Sequence, residues 1–319
     1  MITVFFRILK GRSKKMEFRT LFKDGNFYKG NTHAHTTISD GGGTPAQVVD
    51  AYKAAGYSFL AMTDHLAYGF DTAFNTDEFL VLPATELDTL VGGIHHIVAI
   101  GHPNQTQYEH GYRFDYKLIH SMTAQQIINE VNAHGNLAIL AHPYWSKVDY
   151  TTEKDLHGLF AMEIMNNVCE TTWRSGNAEF FFDHFLWDRN YMWCTGSDDL
   201  HDMGRDMFGG FITVKCAQLT YDNLFDALKI GSFFASYSRI GNKAPLIKDF
   251  YIRDGAVYLD CSPCGRVYFK SNGSQKPFYN LNGELYAHAE WNLEKCRDYV
   301  YAVCVDSDGN ISWTQPILL

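Results

Sequence analysis

Three stretches of this chain, and three single residues between them, carry histidines and carboxylates placed as metal ligands would be. Across residues 31–41, NTHAHTTISDG, His33 and His35 lie two apart, so on an extended segment both imidazoles leave the same face. Asp40 follows them in a glycine-rich turn. Residues 62–65, MTDH, bring His65 to the end of an apolar run, with Asp64 beside it to orient a ligand. Glu86, His96 and His142 each border a further apolar run, and a carboxylate such as Glu86 is the kind of group that bridges two cations and offsets their repulsion. In residues 195–201, TGSDDLH, Asp199 and His201 repeat the two-residue spacing. Any one of these could be an ordinary core or surface group. Their recurrence after expected strands points to one shared metal site.

Elements able to gather such scattered groups are legible over residues 28–244. Short apolar strands alternate with amphipathic helices, the pattern of an α/β barrel, in which active groups collect at the C-terminal ends of strands. Helices are expected over residues 45–55, capped by Thr44 with Pro45 in the first position, over 123–134, closed by Gly135, and over 221–229, stopped by Gly231. Strands are expected over 57–62, 80–84, 97–100, 137–141 and 233–236, with Glu163 and Asn166 just after another. Beyond residue 245, alternating aromatic-rich strands (249–260, 266–271, 284–290, 299–311) are broken by Asp254-Gly255, Asn272-Gly273, Asn282-Gly283 and Asp308-Gly309. They predict a small antiparallel β-sandwich-like domain over residues 245–319. Residues 1–27 read as an N-terminal extension, with Met16 a candidate start because organised patterning begins only near residue 18.

The 319 residues suffice for one large barrel and a small appended domain, and 46% hydrophobic with 20% charged content supports a substantial core rather than disorder. A net charge of −9 argues against a nucleic-acid polymer as partner and leaves a small-molecule substrate. Local cations can still reverse the field for a phosphorylated one. No run approaches the roughly 20 apolar residues of a membrane span. The charges around apolar residues 2–9 stand in the wrong order for a signal peptide, so a cytoplasmic protein with no membrane partner is expected. Seven irregularly spaced cysteines suit a reducing compartment. Cys261 and Cys264 form the one close pair and are expected to be ordinary thiols, since a structural zinc site needs a second pair. The sequence is silent on oligomeric state.

In this order the motifs resemble the polymerase and histidinol phosphatase (PHP) domain family. The resemblance rests on His33-x-His35 with Asp40, Thr63-Asp64-His65, Glu86 with His96, Ala141-His142-Pro143, and Asp199-x-His201, over about residues 30–240. The downstream residues resemble the branch of that family with a C-terminal β domain. What the resemblance implies is a distorted (β/α)7 TIM-like barrel holding two or three divalent ions, Zn, Mn or Fe. One ion would sit on His33, His35, Glu86 and Asp199, a second on Glu86, His96 and His142, a third on Asp40, His65 and His201. It also implies a phosphoesterase acting on a small phosphate mono- or diester, with a metal-bridging hydroxide held by Glu86, His33, His35 and His142 as nucleophile. An extra residue before His201 makes Asp198 a rival to Asp199, and the preserved spacing to His201 favours Asp199. Alternation of faces lets only one of His95 and His96 point inward, and His96 has the family's register. Where the branch usually carries Ser-Thr-Gly-Pro, this chain has SYSRIG at 236–241. Arg174, Arg205 and Arg239 lie in expected loops and are candidates to clamp a phosphate. Two other readings stand beside this one. The same site could serve an amide or carbamate hydrolase, or the chain could be a non-catalytic, metal-stabilised binding module, against which the complete ligand set speaks.

Overall fold

A computed structural model of the chain describes residues 19–239, 243–279 and 282–319. Met16 and most of the expected N-terminal extension lie outside the described residues, as do residues 240 and 241 of the SYSRIG stretch. The architecture is mixed α/β, and local capping chemistry sets its helix ends. Thr44 accepts from the Gln47 backbone while the Gln47 side chain returns to the Thr44 backbone, opening the helix Pro45–Ala54. Thr123 and Gln126 repeat the arrangement at Ala124–Ala133. Each such reciprocal pair satisfies two of the amides that a helix start leaves without partners. Gly135 and Gly231, at φ +76 and +77, take up the left-handed turns that follow Ala124–Ala133 and Tyr221–Lys229. Ile127, Ile128 and Val131 are buried along one face of Ala124–Ala133 and pack with Leu140 and Met162 from the strands beneath.

The strands that carry the candidate ligands fall into two sheets. In one, Asn26–Asn31, Phe59–Ala61 and Leu80–Leu82 run parallel, and Gly210–Cys216 pairs antiparallel on the other side of Asn26–Asn31. In the other, the order is Ala84–Thr89, His95–Gly101, Asn136–Leu140, Ala161–Asn166 and Trp193–Ser197. Pro83 separates the sheets, as expected of a residue with no N–H to give to a ladder. Among the described residues no ladder joins Trp193–Ser197 to Gly210–Cys216, so hydrogen bonding does not close the expected barrel. The backbones nevertheless meet there, since a Cβ on Gly210 would fall 1.9 Å from the Ser197 carbonyl oxygen. A second difference concerns Glu86 and His96. The sequence places them at the edges of apolar runs, whereas both lie inside an antiparallel hairpin, Ala84–Thr89 with His95–Gly101. The alternation of polar and apolar residues there cuts short the apolar run by which a buried parallel strand is recognised.

Downstream, Ile247–Arg253, Ala256–Cys264 and Tyr286–Asn292 form one antiparallel sheet, joined at its edge by Arg19–Thr20. Arg266–Ser271, Ser274–Tyr279, Tyr299–Val305 and Ile311–Thr314 form a second ladder facing it. Val257, Leu259, Val267, Phe269, Ala302 and Trp291 fill the space between. Two-residue turns at Asp254-Gly255 and Asn272-Gly273 set the register of their hairpins. This second ladder is no separate sheet: Ile311–Thr314 pairs with Phe233–Tyr237, which pairs with Gly210–Cys216, so one sheet runs from the candidate site to the C-terminal strands. No helix among the described residues is long and apolar enough to cross a membrane.

One buried group sets a pH dependence of stability. Glu153, at the end of the helix Tyr150–Glu153, is fully buried and neither carboxyl oxygen has a hydrogen-bond partner. Burial pushes its carboxyl up to about 8. The folded state therefore retains a proton that the unfolded chain releases above about pH 4.5, and stability falls as pH rises between those values. Glu153→Met is expected to stabilise the protein by about 2 kcal/mol more at about pH 9 than at about pH 5. Denaturant midpoints at the two pH values measure this, and an equal gain at both would refute it.

Candidate metal centre

His33 and His35 leave the chain just beyond Asn26–Asn31, and the Asn31 side chain fixes their backbone by donating to the His33 carbonyl oxygen at 2.9 Å. Asp64 accepts from the Thr36 and Ser39 backbones and from both of their hydroxyls, which pins the loop that presents Asp40. Glu86 and His96 come from the hairpin, His142 from the end of Asn136–Leu140, and Asp199 and His201 from the end of Trp193–Ser197. His142 and Asp199 hold φ values of +29 and +52, positions that cost non-glycine residues backbone energy and recur where a side chain must be aimed.

The side chains converge. One oxygen of Glu86 lies 3.3, 3.2 and 3.4 Å from the Nε2 atoms of His33, His35 and His65, and its other oxygen lies 2.9 Å from His96 Nδ1 and 3.5 Å from His142 Nε2. Asp199 Oδ1 is 3.2 Å from both His33 Nε2 and His35 Nε2. Asp40 closes the far side, with Oδ2 at 3.4 Å from His201 Nε2 and 3.8 Å from His65 Nε2. Ligand atoms fall within mutual reach of one ion in three groups: His33, His35 and Glu86; His65, Glu86 and His96; and His35, Asp40, His65 and His201. The nine candidate ligands are thus brought to one place.

Whether these groups suit cations is decided by their contacts. His33 Nε2 and His35 Nε2 approach to 3.1 Å, two nitrogens that cannot both offer lone pairs to each other. Donor separations of 3.1–3.4 Å are the edges of a coordination shell with bonds of about 2.1 Å. The electrostatics agree. Burial alone pushes His35 down, but hydrogen bonds and charge from Asp199 and Glu86 outweigh it and raise it to about 9. His33 is likewise held well above its ordinary value, because Asp199, Glu86 and Glu163 overcome its burial. Buried carboxylates that draw protons onto neighbouring imidazoles offer the same attraction to a metal ion, whose binding releases those protons. The donor set therefore fits divalent cations.

The ambiguities left by the sequence resolve geometrically. Asp199 enters the cluster, while Asp198 turns away to accept from Tyr52 Oη at 2.6 Å and from the backbone amides of Phe208, Gly209 and Gly210 at 2.8 Å each. His96 faces Glu86, while His95 turns its Nδ1 to the Gly93 carbonyl oxygen. Glu163 is the principal group whose part the sequence left undecided. It lies inside the strand Ala161–Asn166 rather than after it, accepts from His33 Nδ1 at 2.8 Å, and takes the His142 backbone N–H and Asn166 Nδ2 on its other oxygen. Asn166 also donates to Asp199. A register shift between Glu163 and Met165 lets Glu163 and Asn166, three apart, face the same way. A charged residue within the apolar run AMEIM was the available signal. Asp88 and His120, paired at 2.7 Å beside His65, gave no such signal.

The site is deep at one end and open at the other: His33, His35 and Glu86 are buried, whereas the side chains of His65, His201 and Asp40 are 25%, 33% and 50% exposed. Trp145 stands beside His142 and His96, with Trp173 next to it. The three arginines are not brought into the cluster. Arg205 pairs with Asp206, which also accepts from the His201 backbone. Arg174 ends the helix Asn167–Trp173, and Arg239 lies by Gly309 with its backbone bound to Asn310.

No protein-family model matches the chain, and no curated protein matches it. Among solved structures it is similar to a two-domain protein containing a predicted PHP-like metal-dependent phosphoesterase from Bacteroides vulgatus ATCC 8482. That likeness has a TM-score of 0.51 at 14% identity and covers 96% of this chain and 100% of the other. An amidohydrolase from Chromobacterium violaceum aligns over 56% of this chain and 89% of its own at 16% identity, with a TM-score of 0.42. At 14% identity the first likeness establishes a shared fold over nearly the whole chain.

Proposed function

We propose that this protein is a metal-dependent hydrolase of the PHP type that cleaves a small phosphate mono- or diester. In this reading the two sheets are parts of an open, distorted barrel, and residues 245–319 form its β appendage. The observation that carries it is the position of Glu86, whose two oxygens lie among five imidazoles from four separate segments. Clustering of that kind is what a multinuclear site requires.

His33, His35, Glu86 and Asp199 would hold one ion, Glu86, His96 and His142 a second, and Asp40, His65 and His201 a third. Bound divalent ions supply a lowered water pKa and neutralise charge on phosphoryl oxygens. The rest falls to the chain's own groups. Glu163 accepts a hydrogen bond from His33 Nδ1–H, and holding the proton there leaves the Nε2 lone pair facing inward. Asp64 holds the Asp40 loop, and Asn166 orients Asp199. Substrate approaches from the exposed edge at Asp40, His65 and His201. Arg205, four residues beyond His201 and 56% exposed, is the arginine best placed to meet a phosphate there. Its present partner Asp206 would have to release it.

A panel of phosphomonoesters, phosphodiesters, amides and carbamates, offered to protein loaded with Zn, Mn or Fe, tests the reading. Phosphoester turnover is expected, and turnover confined to amides or carbamates would overturn the substrate class. His33→Ala and His142→Ala are each expected to lower kcat by about 10³-fold or more, equivalent to about 4 kcal/mol, with circular dichroism unchanged and metal content reduced. A variant with ordinary turnover would remove that histidine from the site.

A further inference from the structure

Three thiols from the two facing C-terminal sheets meet at one point. Cys261, Cys264 and Cys304 are each fully buried, are not joined by disulfides, and have sulfurs within 4.8 Å of one another. The sequence offered Cys261 and Cys264 as an isolated pair; the fold brings Cys304 to it across the interior, from Tyr299–Val305.

The chain departs from regular structure to make this trio. Along Ala256–Cys264 the inward residues are Val257, Leu259 and Cys261, so strict alternation puts residue 263 inside and Cys264 outside. The reverse is found: Pro263 is exposed and Cys264 buried. The pairing with Tyr286–Asn292 slips between Asp260 and Cys264, because Asp260 faces His288 while Cys264 faces Tyr286. Four residues on one strand are thus matched to two on the other, and the bulge turns the second thiol to the same face as the first. Pro263, which has no N–H to give, sits in the bulge. Ser262 anchors it by pairing with Leu246 through both its backbone and its hydroxyl.

From this arrangement we infer that Cys261, Cys264 and Cys304 form a binding site for a single thiophilic cation of the Zn2+ class, separate from the histidine and carboxylate cluster, that staples the two C-terminal sheets together. Three sulfurs around an ion at about 2.3 Å lie about 3.8–4.0 Å apart, within the span already present here. Thiolate donors without imidazole or carboxylate select soft d10 ions over Mn or Mg. The site also accounts for sulfur placement that apolar packing does not need, since a bulge leaves part of the ladder unpaired. Binding releases the thiol protons to solvent and involves no change of oxidation state.

The test uses full-length reduced protein loaded with cobalt(II), a spectroscopic stand-in for zinc. A thiolate-to-cobalt charge-transfer band in the near ultraviolet is expected. It should vanish in Cys304→Ser, and persist in Cys296→Ser and in His33→Ala, because the latter disables only the other cluster. Absence of the band from the wild-type protein, or its survival in Cys304→Ser, overturns the site. Should Cys304→Ser fail to fold, X-ray absorption at the zinc edge of the wild-type protein decides, with a sulfur shell at about 2.3 Å expected. A purely nitrogen and oxygen shell, or an intact mass showing Cys261 and Cys264 joined as a disulfide in metal-treated protein, overturns it equally.

Discussion

Glu86→Ala is expected to cost more activity than any other single substitution in the site, about 10⁴-fold or more in kcat/KM, equivalent to about 5.4 kcal/mol. The reason is the number of partners it serves. Each of the proposed ion positions on His33 and His35, and on His96 and His142, borrows an oxygen from this one carboxylate. Without it the imidazoles face one another with no negative charge between them, and cations bound there lack the bridge that offsets their repulsion. Metal analysis should show loss of at least one ion per chain. Glu86→Gln keeps the volume and hydrogen-bonding capacity but not the charge, so it separates charge from packing. A Glu86→Gln protein with near-ordinary turnover and full metal content would show that the carboxylate does not bridge ions. Folding should survive both changes, because the charge removed lies in a site that function requires and stability does not.

The adjacent carboxylates Asp198 and Asp199 should part company when each is replaced by Asn. Asp198→Asn is expected to destabilise the fold by about 3 kcal/mol. Its two oxygens take four donors, Phe208, Gly209 and Gly210 backbone N–H and the Tyr52 hydroxyl, and an amide group presents a donor where one of those acceptors stood. Asp199→Asn should leave the denaturant midpoint of chelator-treated protein nearly unchanged, since Asn tolerates the φ of +52 there. It should nevertheless lower kcat by about 10²- to 10³-fold, about 3–4 kcal/mol, through loss of a charged ligand. Chemical denaturation and steady-state kinetics on both variants give the answer. The opposite pattern, with Asp198→Asn stable and inactive, would reassign the ligand.

Much of this was legible before any tertiary structure. Thr44 and Thr123 mark helix starts because a side-chain oxygen near free amides acts locally, and Gly135 and Gly231 mark the ends for an equally local reason. The two-residue spacings His33/His35 and Asp199/His201 are also local, so they read directly as shared faces. The fold was less legible. An alternating strand and helix pattern suggested a barrel of parallel strands, yet Ala84–Thr89 and His95–Gly101 pair antiparallel and the ladders do not close among the described residues. The extended hydrogen bonding from Gly210–Cys216 through Phe233–Tyr237 to Ile311–Thr314 left no trace in composition, because a sheet that crosses between units has the same residue pattern as one that stops.

By itself the sequence determined which side chains could bind cations, which segments carry them and where most helices begin and end. All of these depend on neighbours within a few residues. Tertiary structure alone decided that Asp199 and not Asp198 turns inward, that Glu163 stands behind His33, and that Cys304 joins Cys261 and Cys264. Those outcomes rest on strand pairings between distant segments and on register shifts of one or two residues. A shift of one residue reverses the face of every side chain beyond it, and its stabilisation comes from packing partners far along the chain, so no local pattern records it.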